Sequence, residues 1–302
     1  MPMPGTHAGA ARRWGLACAI LGATGFSFKA ILVKLAYRHG VDTETLLALR
    51  MAYSLPLFVL LGLYGPAGPQ QRLAPRDYLS FAVLGFFGYY LSSYLDFLGL
   101  KLISASLERL VLFTGPTLVV LLVAWRTRTR PTPRTWGALA LCYAGVALAM
   151  AHDLRSQRGD VWIGVLLVFG CTVSYSFYLE RAGAIVPRIG SARFAAWATG
   201  AACLFALLQF LLLRPAASLV AQPWQVQALS AAMAVFSTVL PVWLVAEGMR
   251  ILGSGPTAII GSLGPVLTTL FAWALLGEPL GLMQLAGLAL VIAGVQRVAR
   301  PG

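Results

Sequence analysis

Six ionisable side chains stand within long apolar runs of this 302-residue chain: Lys29, Arg50, Asp96, Glu108, Arg109 and Glu247. A charge held in hydrocarbon costs about 2.5–3.5 kcal/mol on insertion scales, so each is a functional candidate unless it reaches water or a partner. Glu108 leads the group. It sits one turn into its apolar run and two turns ahead of Gly115-Pro116. A carboxylate there could bind a substrate ammonium or take up a proton as a buried site changes sides. The competing reading is local: Ser104 and Ser106 open the same run, and a Glu in a first helical turn complements the helix dipole without further duty. Lys29 is the second candidate, against an internal ion pair or a snorkelling stem. Arg109 points about 100° away from Glu108 on a helix, so the two need different partners. Arg50 is expected to be a structural ion-pair partner, with Glu108 as the acceptor. Asp96 and Glu247 fall near helix ends and are expected to be hydrated.

Aromatic and hydroxyl side chains crowd the same runs: Tyr89, Tyr90, Ser93 and Tyr94, then Ser174, Tyr175 and Tyr178, then Ser237, Thr238 and Trp243. Tyr89 and Ser93 share one helical face, as do Tyr90 and Tyr94. Rings interleaved with hydroxyls suit a small amphipathic or aromatic solute. Tyr90, Tyr94, Tyr175, Tyr178 and Trp243 are the binding candidates beside Glu108 and Lys29, and interhelical packing is the rival for any one of them. Catalytic alternatives have little to stand on. Gly253-Ser254-Gly255 and Gly261-Ser262-Leu263-Gly264 superficially resemble a serine nucleophile setting, but His7, His39 and His152 all fall in expected loops or termini. There is no HExxH, no P-loop and no CxxC, so an intramembrane hydrolase, ATP-driven transport and a metal site are disfavoured. A channel would call for a filter signature or a ring of like charge.

The elements that must position these residues follow from composition. The chain is 59% hydrophobic and 11% charged, and its mean hydropathy is +0.78. A spanning helix needs about 20 mostly apolar residues because no backbone group can stay unpaired in hydrocarbon. Ten runs meet or approach that requirement: 14–36, 44–64, 78–98, 104–125, 135–151, 161–180, 193–213, 224–247, 254–276 and 280–298. The fold expected is an all-α polytopic membrane protein.

The ten runs fall into two sets of five. Leu139-Ala140-Leu141-Cys142-Tyr143-Ala144-Gly145-Val146 returns as Leu288-Ala289-Leu290-Val291-Ile292-Ala293-Gly294-Val295, an offset of 149 residues. Gly115-Pro116 falls on Gly264-Pro265 and Phe26-Ser27-Phe28 on Tyr175-Ser176-Phe177 at the same offset. Several matches in one register describe a duplicated unit, here 14–151 and 161–298. Five helices is an odd number, so the second copy must cross in the opposite sense, giving ten transmembrane helices as two inverted five-helix repeats. Inverted repeats serve alternating access in secondary transporters. Gly115, Pro116, Gly264 and Pro265 are then candidate hinges. Each proline removes a donor from the carbonyl four residues back, Leu112 or Gly261, and a kink is expected there. Ala140/Ala144 and Ala289/Ala293 repeat a small-xxx-small spacing, which fits either tight packing within the bundle or a homodimer contact through helices five and ten.

The net charge of +13 does not point to nucleic acid, because the basic residues sit in short connections between spans. With the N-terminus inside, the inner side collects fourteen arginines, including Arg12, Arg13, Arg126, Arg181 and Arg250; the outer side receives Arg38, Lys101, Arg155, Arg158 and Arg214. The positive-inside rule therefore puts both termini in the cytoplasm. Cys18, Cys142, Cys171 and Cys203 read as small packing residues, and Trp14, Trp125, Trp136, Trp162, Trp224 and Trp273 as interfacial anchors.

Ten spans, a five-plus-five repeat, a proline in helices four and nine, and Leu276-Gly277-Glu278-Pro279-Leu280 between helices nine and ten together resemble the EamA-type transporters of the drug/metabolite transporter superfamily. The chain departs from the pattern after helix four, where Arg126-Thr127-Arg128-Thr129-Arg130 replaces the Gly-Glu element. The resemblance implies helices one to four and six to nine around a central cavity. It also implies a bacterial inner-membrane exporter of small organic metabolites such as amino acids or amphipathic drugs, without a cofactor and with protons as the coupling ion.

Overall fold

The structure, a computed structural model, describes residues 5–64, 73–126, 133–156, 160–189, 191–252 and 263–299, with 128, 130 and 260 as isolated positions. The described residues form helices: α1 (Gly5–Tyr37), α2 (Thr43–Tyr64), α3 (Pro75–Gly85), α4 (Ser92–Leu100), α5 (Ala105–Leu112), α6 (Gly115–Arg126), α7 (Pro133–Ser156), α8 (Val161–Ile189), α9 (Ser191–Leu213), α10 (Ala217–Val220), α11 (Trp224–Ala234), α12 (Leu240–Leu252), α13 (Leu263–Phe271) and α14 (Leu282–Ala299). Seven helical runs among them are long and apolar enough to cross a membrane, and three shorter apolar stretches lie at Ala140–Ala149, Leu263–Leu276 and Leu282–Gly294. The six tryptophans read as anchors are all exposed. The four cysteines are buried and unpaired, consistent with packing.

Helix starts follow local chemistry. Asp42 opens α2 by accepting from the Thr45 N–H at 2.9 Å and the Thr45 hydroxyl at 2.8 Å. Ser104 opens α5 by accepting from the Leu107 N–H at 3.0 Å. The Leu276–Leu280 segment has a matching role across the fold. Gly277 takes a left-handed φ of 74°, ending the preceding helical stretch. The Glu278 carboxylate then receives the Ala105 N–H at 2.8 Å, the Ser106 N–H at 3.3 Å and the Ser106 hydroxyl at 3.0 Å. An acidic group is thus fixed on the first turn of α5, and the capping residue comes from the other half of the chain.

Two runs expected as single helices are interrupted at equivalent places. Phe86–Leu91 between α3 and α4 and Val235–Val239 between α11 and α12 are π-helical, and 149 residues separate their starts. Pro241 follows the second stretch and withholds a donor from the Ser237 carbonyl. Ser92 occupies the equivalent position in the first. Its N–H turns to the Tyr89 carbonyl, while its hydroxyl reaches back to the Gly88 carbonyl at 2.5 Å. Proline in one half and a back-bonding serine in the other therefore loosen the same rung.

The fourth run departs further from expectation. Instead of a kinked helix, α5 stops at Leu112 and α6 begins at Gly115, with the Thr114 N–H and hydroxyl both donated to the Val111 carbonyl at 3.1 and 2.7 Å. Gly115-Pro116 opens a new helix, where a missing proline N–H costs nothing. In the other half, Gly264 and Pro265 lie in the first turn of α13 as described, and most of the stretch before Leu263 lies outside the described residues.

The halves interlock. α1 packs on α12 and α13, while α8, its equivalent, packs on α4 and α6; α2 packs on α9, and α7 on α14. Cys142 approaches the carbonyl of its own equivalent, Val291, at 3.8 Å between α7 and α14. A Cβ on Gly145 would fall 2.5 Å from the Gly287 carbonyl oxygen, and one on Gly287 would fall 2.6 Å from that of Gly145, so these backbones touch. The alanines of the small-xxx-small pairs do not make that contact: Ala140, Ala144, Ala289 and Ala293 are exposed.

Candidate functional site

Lys29 on α1 is the centre of the buried charge. Its Nζ lies 2.6 Å from Asp96 Oδ2 on α4 and 3.1 Å from Glu108 Oε1 on α5. Asp96 is 1% exposed and Glu108 0%, and apart from Lys29 neither carboxylate has a hydrogen-bond partner among the described residues. One ammonium shared by two carboxylates fixes three elements against each other, because separating any of them leaves a charge stranded in low dielectric. Asp96 is accordingly not the hydrated helix-end group expected from sequence. Its position near the end of α4 is covered by the surrounding helices.

Arg50 corrects a second expectation. It does not pair with Glu108: its Nε donates to Thr238 Oγ1 at 3.1 Å and its Nη1 reaches Ser93 Oγ at 3.4 Å, with the guanidinium 5.3 Å from the Phe97 ring centre. Lys29 already occupies the acceptor that Arg50 was expected to use. Arg109 forms no ion pair with Glu108, which lies on Lys29 instead. It lies over Gly264, where a Cβ would come within 2.7 Å of Arg109 Nη2, so glycine is what lets the guanidinium sit there.

These groups surround a cavity of about 270 Å³, whose lining includes Lys29, Arg50, Asp96 and Arg109 together with Phe26, Tyr89, Ser93, Tyr175, Ser237 and Thr238. Its volume lies just below that of typical small-molecule sites, which run about 300–1,000 Å³. Both halves contribute walls, through α1, α2, α4, α5 and the first π-stretch on one side and α8 with the second π-stretch on the other.

The aromatic candidates divide. Tyr175 lines the cavity. Tyr178 stands behind it, its hydroxyl 3.3 Å from that of Tyr89 and its ring 5.4 Å from that of Tyr175. Tyr90 and Tyr94 face elsewhere: Tyr90 packs on Phe86 and Phe205, and the Tyr94 hydroxyl donates to Glu44 Oε1 at 3.2 Å. Trp243 is half-buried outside the cavity lining. Tyr89 and Ser93 reach the cavity while Tyr90 and Tyr94 do not because the two pairs occupy different faces of one helical rod, and only tertiary packing chooses the inner face. Glu108 itself is not part of the lining and touches it only through its contact with Lys29. Ser254 and Ser262 lie outside the described residues.

Near the helix break, the halves exchange loose hydrogen bonds. Ser27 Oγ lies 3.2 Å from the Gly264 carbonyl oxygen, and its equivalent Ser176 lies 3.4 Å from that of Gly115, the equivalent of Gly264. Both acceptors belong to the peptide preceding a proline. Ser27 Oγ is also 2.8 Å from the Ala23 carbonyl, and its single proton can serve only one of the two at a time.

The sequence pattern of the EamA-like transporter family matches residues 13–151 and again 162–298. An uncharacterized transporter of Bacillus subtilis (strain 168), YcbK, is 31% identical over 285 residues, covering 92% of this chain and 91% of the relative. Another uncharacterized transporter, sll1319 of Synechocystis sp., is 23% identical over 300 residues, covering 92% and 90%. A protein of known crystal structure, 20% identical, superposes with a TM-score of 0.62 over 96% of this chain and 95% of that one, sharing the fold. With its helices long and apolar enough to cross a bilayer several times and the family pattern present in both halves, this chain is a multi-pass membrane protein that belongs to the EamA-like transporter family.

Proposed function

We propose that this protein is a secondary-active exporter of small organic metabolites, such as amino acids or amphipathic drugs, in the bacterial inner membrane. Ten spans form two inverted five-helix repeats with both termini cytoplasmic, and rocking of one repeat against the other exposes the central cavity alternately to each side. The observation that carries this reading is the cavity between the two halves, with Lys29 held on Asp96 and Glu108 directly beside the α5–α6 break. Protonating one carboxylate releases part of the hold on Lys29. That couples proton uptake to the freedom of α1, α4 and α5 to move apart.

The reading is tested in proteoliposomes containing the purified protein, loaded with labelled amino acids, nucleosides and amphipathic cations, with and without an imposed pH gradient. Saturable, gradient-dependent loss of one class is expected; flux that never saturates would indicate a channel. Glu108→Gln should abolish pH-driven flux while the protein stays folded. Unchanged pH-driven flux in that variant removes Glu108 from coupling.

A further inference from the structure

The charges around the cavity do not balance. By formal charge Lys29, Arg50 and Arg109 bring three positive charges, while Asp96 and Glu108 bring two negative ones, both in contact with Lys29. The stretch at residues 253–262, Gly-Ser-Gly-Pro-Thr-Ala-Ile-Ile-Gly-Ser, adds no ionisable side chain to the count. One positive charge is therefore in surplus in a low-dielectric setting, where an unpaired charge is costly. Arg50 has two of its donors engaged by neutral hydroxyls, which orient a guanidinium without neutralising it. Arg109 itself lines the cavity; its Nε is buried with no hydrogen-bond partner among the described residues, and its Nη2 lies against Gly264.

We infer that the cavity binds an organic carboxylate, its anionic group held by Arg109 with Arg50 in support and its apolar body against Phe26 and Tyr175. The inference rests on the carrier reading above and narrows its substrate class. A guanidinium presents a planar fork matched to a carboxylate, and such charge-assisted pairs are stronger than neutral hydrogen bonds. The ring and leucine side chains on the cavity wall give an apolar body a surface that a bare inorganic anion would leave unfilled. An amphipathic cation is disfavoured by the same account. Among the described residues the one carboxylate in the lining, Asp96, already holds Lys29 at 2.6 Å, so a cationic head would face the two arginines.

The test is equilibrium binding to purified protein in nanodiscs, using three solutes with one aromatic body and different charge: phenylacetate, phenylalanine and phenethylamine. Phenylacetate and phenylalanine should bind saturably and phenethylamine at least tenfold more weakly. Arg109→Gln should weaken phenylacetate at least tenfold with an unchanged melting temperature, and Arg109→Lys should recover part of that loss. Binding of phenethylamine as tight as phenylacetate, indifference to Arg109→Gln, or no binding of any of the three to folded protein would each overturn the inference. Flux in proteoliposomes separates the two claims. Carboxylates that bind but are never moved refute the carrier and leave the site standing, whereas saturable transport of phenethylamine alone refutes the site and leaves the carrier.

Discussion

The two halves share a backbone plan but divide the chemistry. Both have a π-stretch in the third helix, at Phe86–Leu91 and Val235–Val239, and both direct a serine at the carbonyl before a proline. Yet the five charges of the site all come from the first half. At the 149-residue offset Lys29 falls on Tyr178, Arg50 on Thr199, Asp96 on Val245, Glu108 on Thr257 and Arg109 on Ala258. Symmetry is retained at the helix irregularities and the serine–carbonyl contacts, and it is abandoned at the charged side chains. A site with duplicated charge would hold twice the unpaired charge in the membrane, with no added selectivity to offset it.

Variants that treat the halves as equals can break this comparison. The largest effect is expected from Lys29→Ala, which strands two buried carboxylates and should cost about 3–5 kcal/mol, the range for breaking a buried ion pair. Tyr178→Phe, at the equivalent position, loses only a hydroxyl contact to Tyr89 and should cost about 1 kcal/mol. Chemical denaturation in detergent compares them, and similar losses would mean that the charge cluster does not hold the first half together. Combining Asp96→Asn and Glu108→Gln with Lys29→Met should recover much of the lost stability.

Pro265→Ala bears on the shared plan. If the halves rock as proposed, turnover should fall more than substrate affinity, because the residue lies in the first turn of α13 without appearing in the cavity lining. Measuring both in the same preparation decides the matter, and equal losses would point to a deformed site. A smaller effect is expected from Ser27→Ala and Ser176→Ala. Their cross-half contacts are long, at 3.2 and 3.4 Å, and hydrogen bonds between membrane helices average about 0.6 kcal/mol. Each variant should therefore lose stability at that level or below. The comparison sharpens if both shift the inward–outward balance, read by accessibility of a reporter cysteine, in opposite directions. Shifts in the same direction would contradict an exchange-symmetric role.

The smallest effect separates the two connections that lead into α2 and α9, where Asp42 is the equivalent of Ser191. Burial pushes the Asp42 carboxyl upward, but hydrogen bonds from the Thr45 N–H and hydroxyl, with Arg214 nearby, outweigh it and hold the group below its usual 3.8. A carboxyl lowered in the folded state adds stability that is present above its unfolded value and lost as pH falls through the folded one. The difference in stability between the protein and Asp42→Ala should be about 1 kcal/mol at neutral pH, begin to shrink near about pH 4, and fade as pH falls through the lower folded value. Melting curves across pH 3–7 would show it; a difference that persists under acid would mean Asp42 caps α2 without its charge.

Much of the architecture was legible because hydrocarbon imposes a simple rule on sequence. Apolar runs gave the helices, and one recurring offset gave the two halves. The helix-four region shows the limit of that reading: Gly115-Pro116 announces an irregularity, but a kink and a full break at Phe113–Thr114 have the same sequence signature. The π-stretches carry even less signal, since Ser92 and Pro241 perform the same loosening with unrelated chemistry. Among site residues, Lys29, Glu108 and Tyr175 stand out by type and position. Tyr89 and Ser93 do not stand out from Tyr90 and Tyr94, because a helical face is visible in sequence and its orientation is not.

By itself the sequence determined that the chain crosses a membrane, that it is built twice, and that it holds a handful of charges where charge is expensive. These properties depend on composition and periodicity along the chain. The pairing of those charges was decided only by tertiary structure. Lys29 is far in sequence from Asp96 and Glu108 and meets them at 2.6 and 3.1 Å because α1, α4 and α5 converge. Coulomb energy falls with distance and rises as water is excluded, and both quantities are set by how the helices pack.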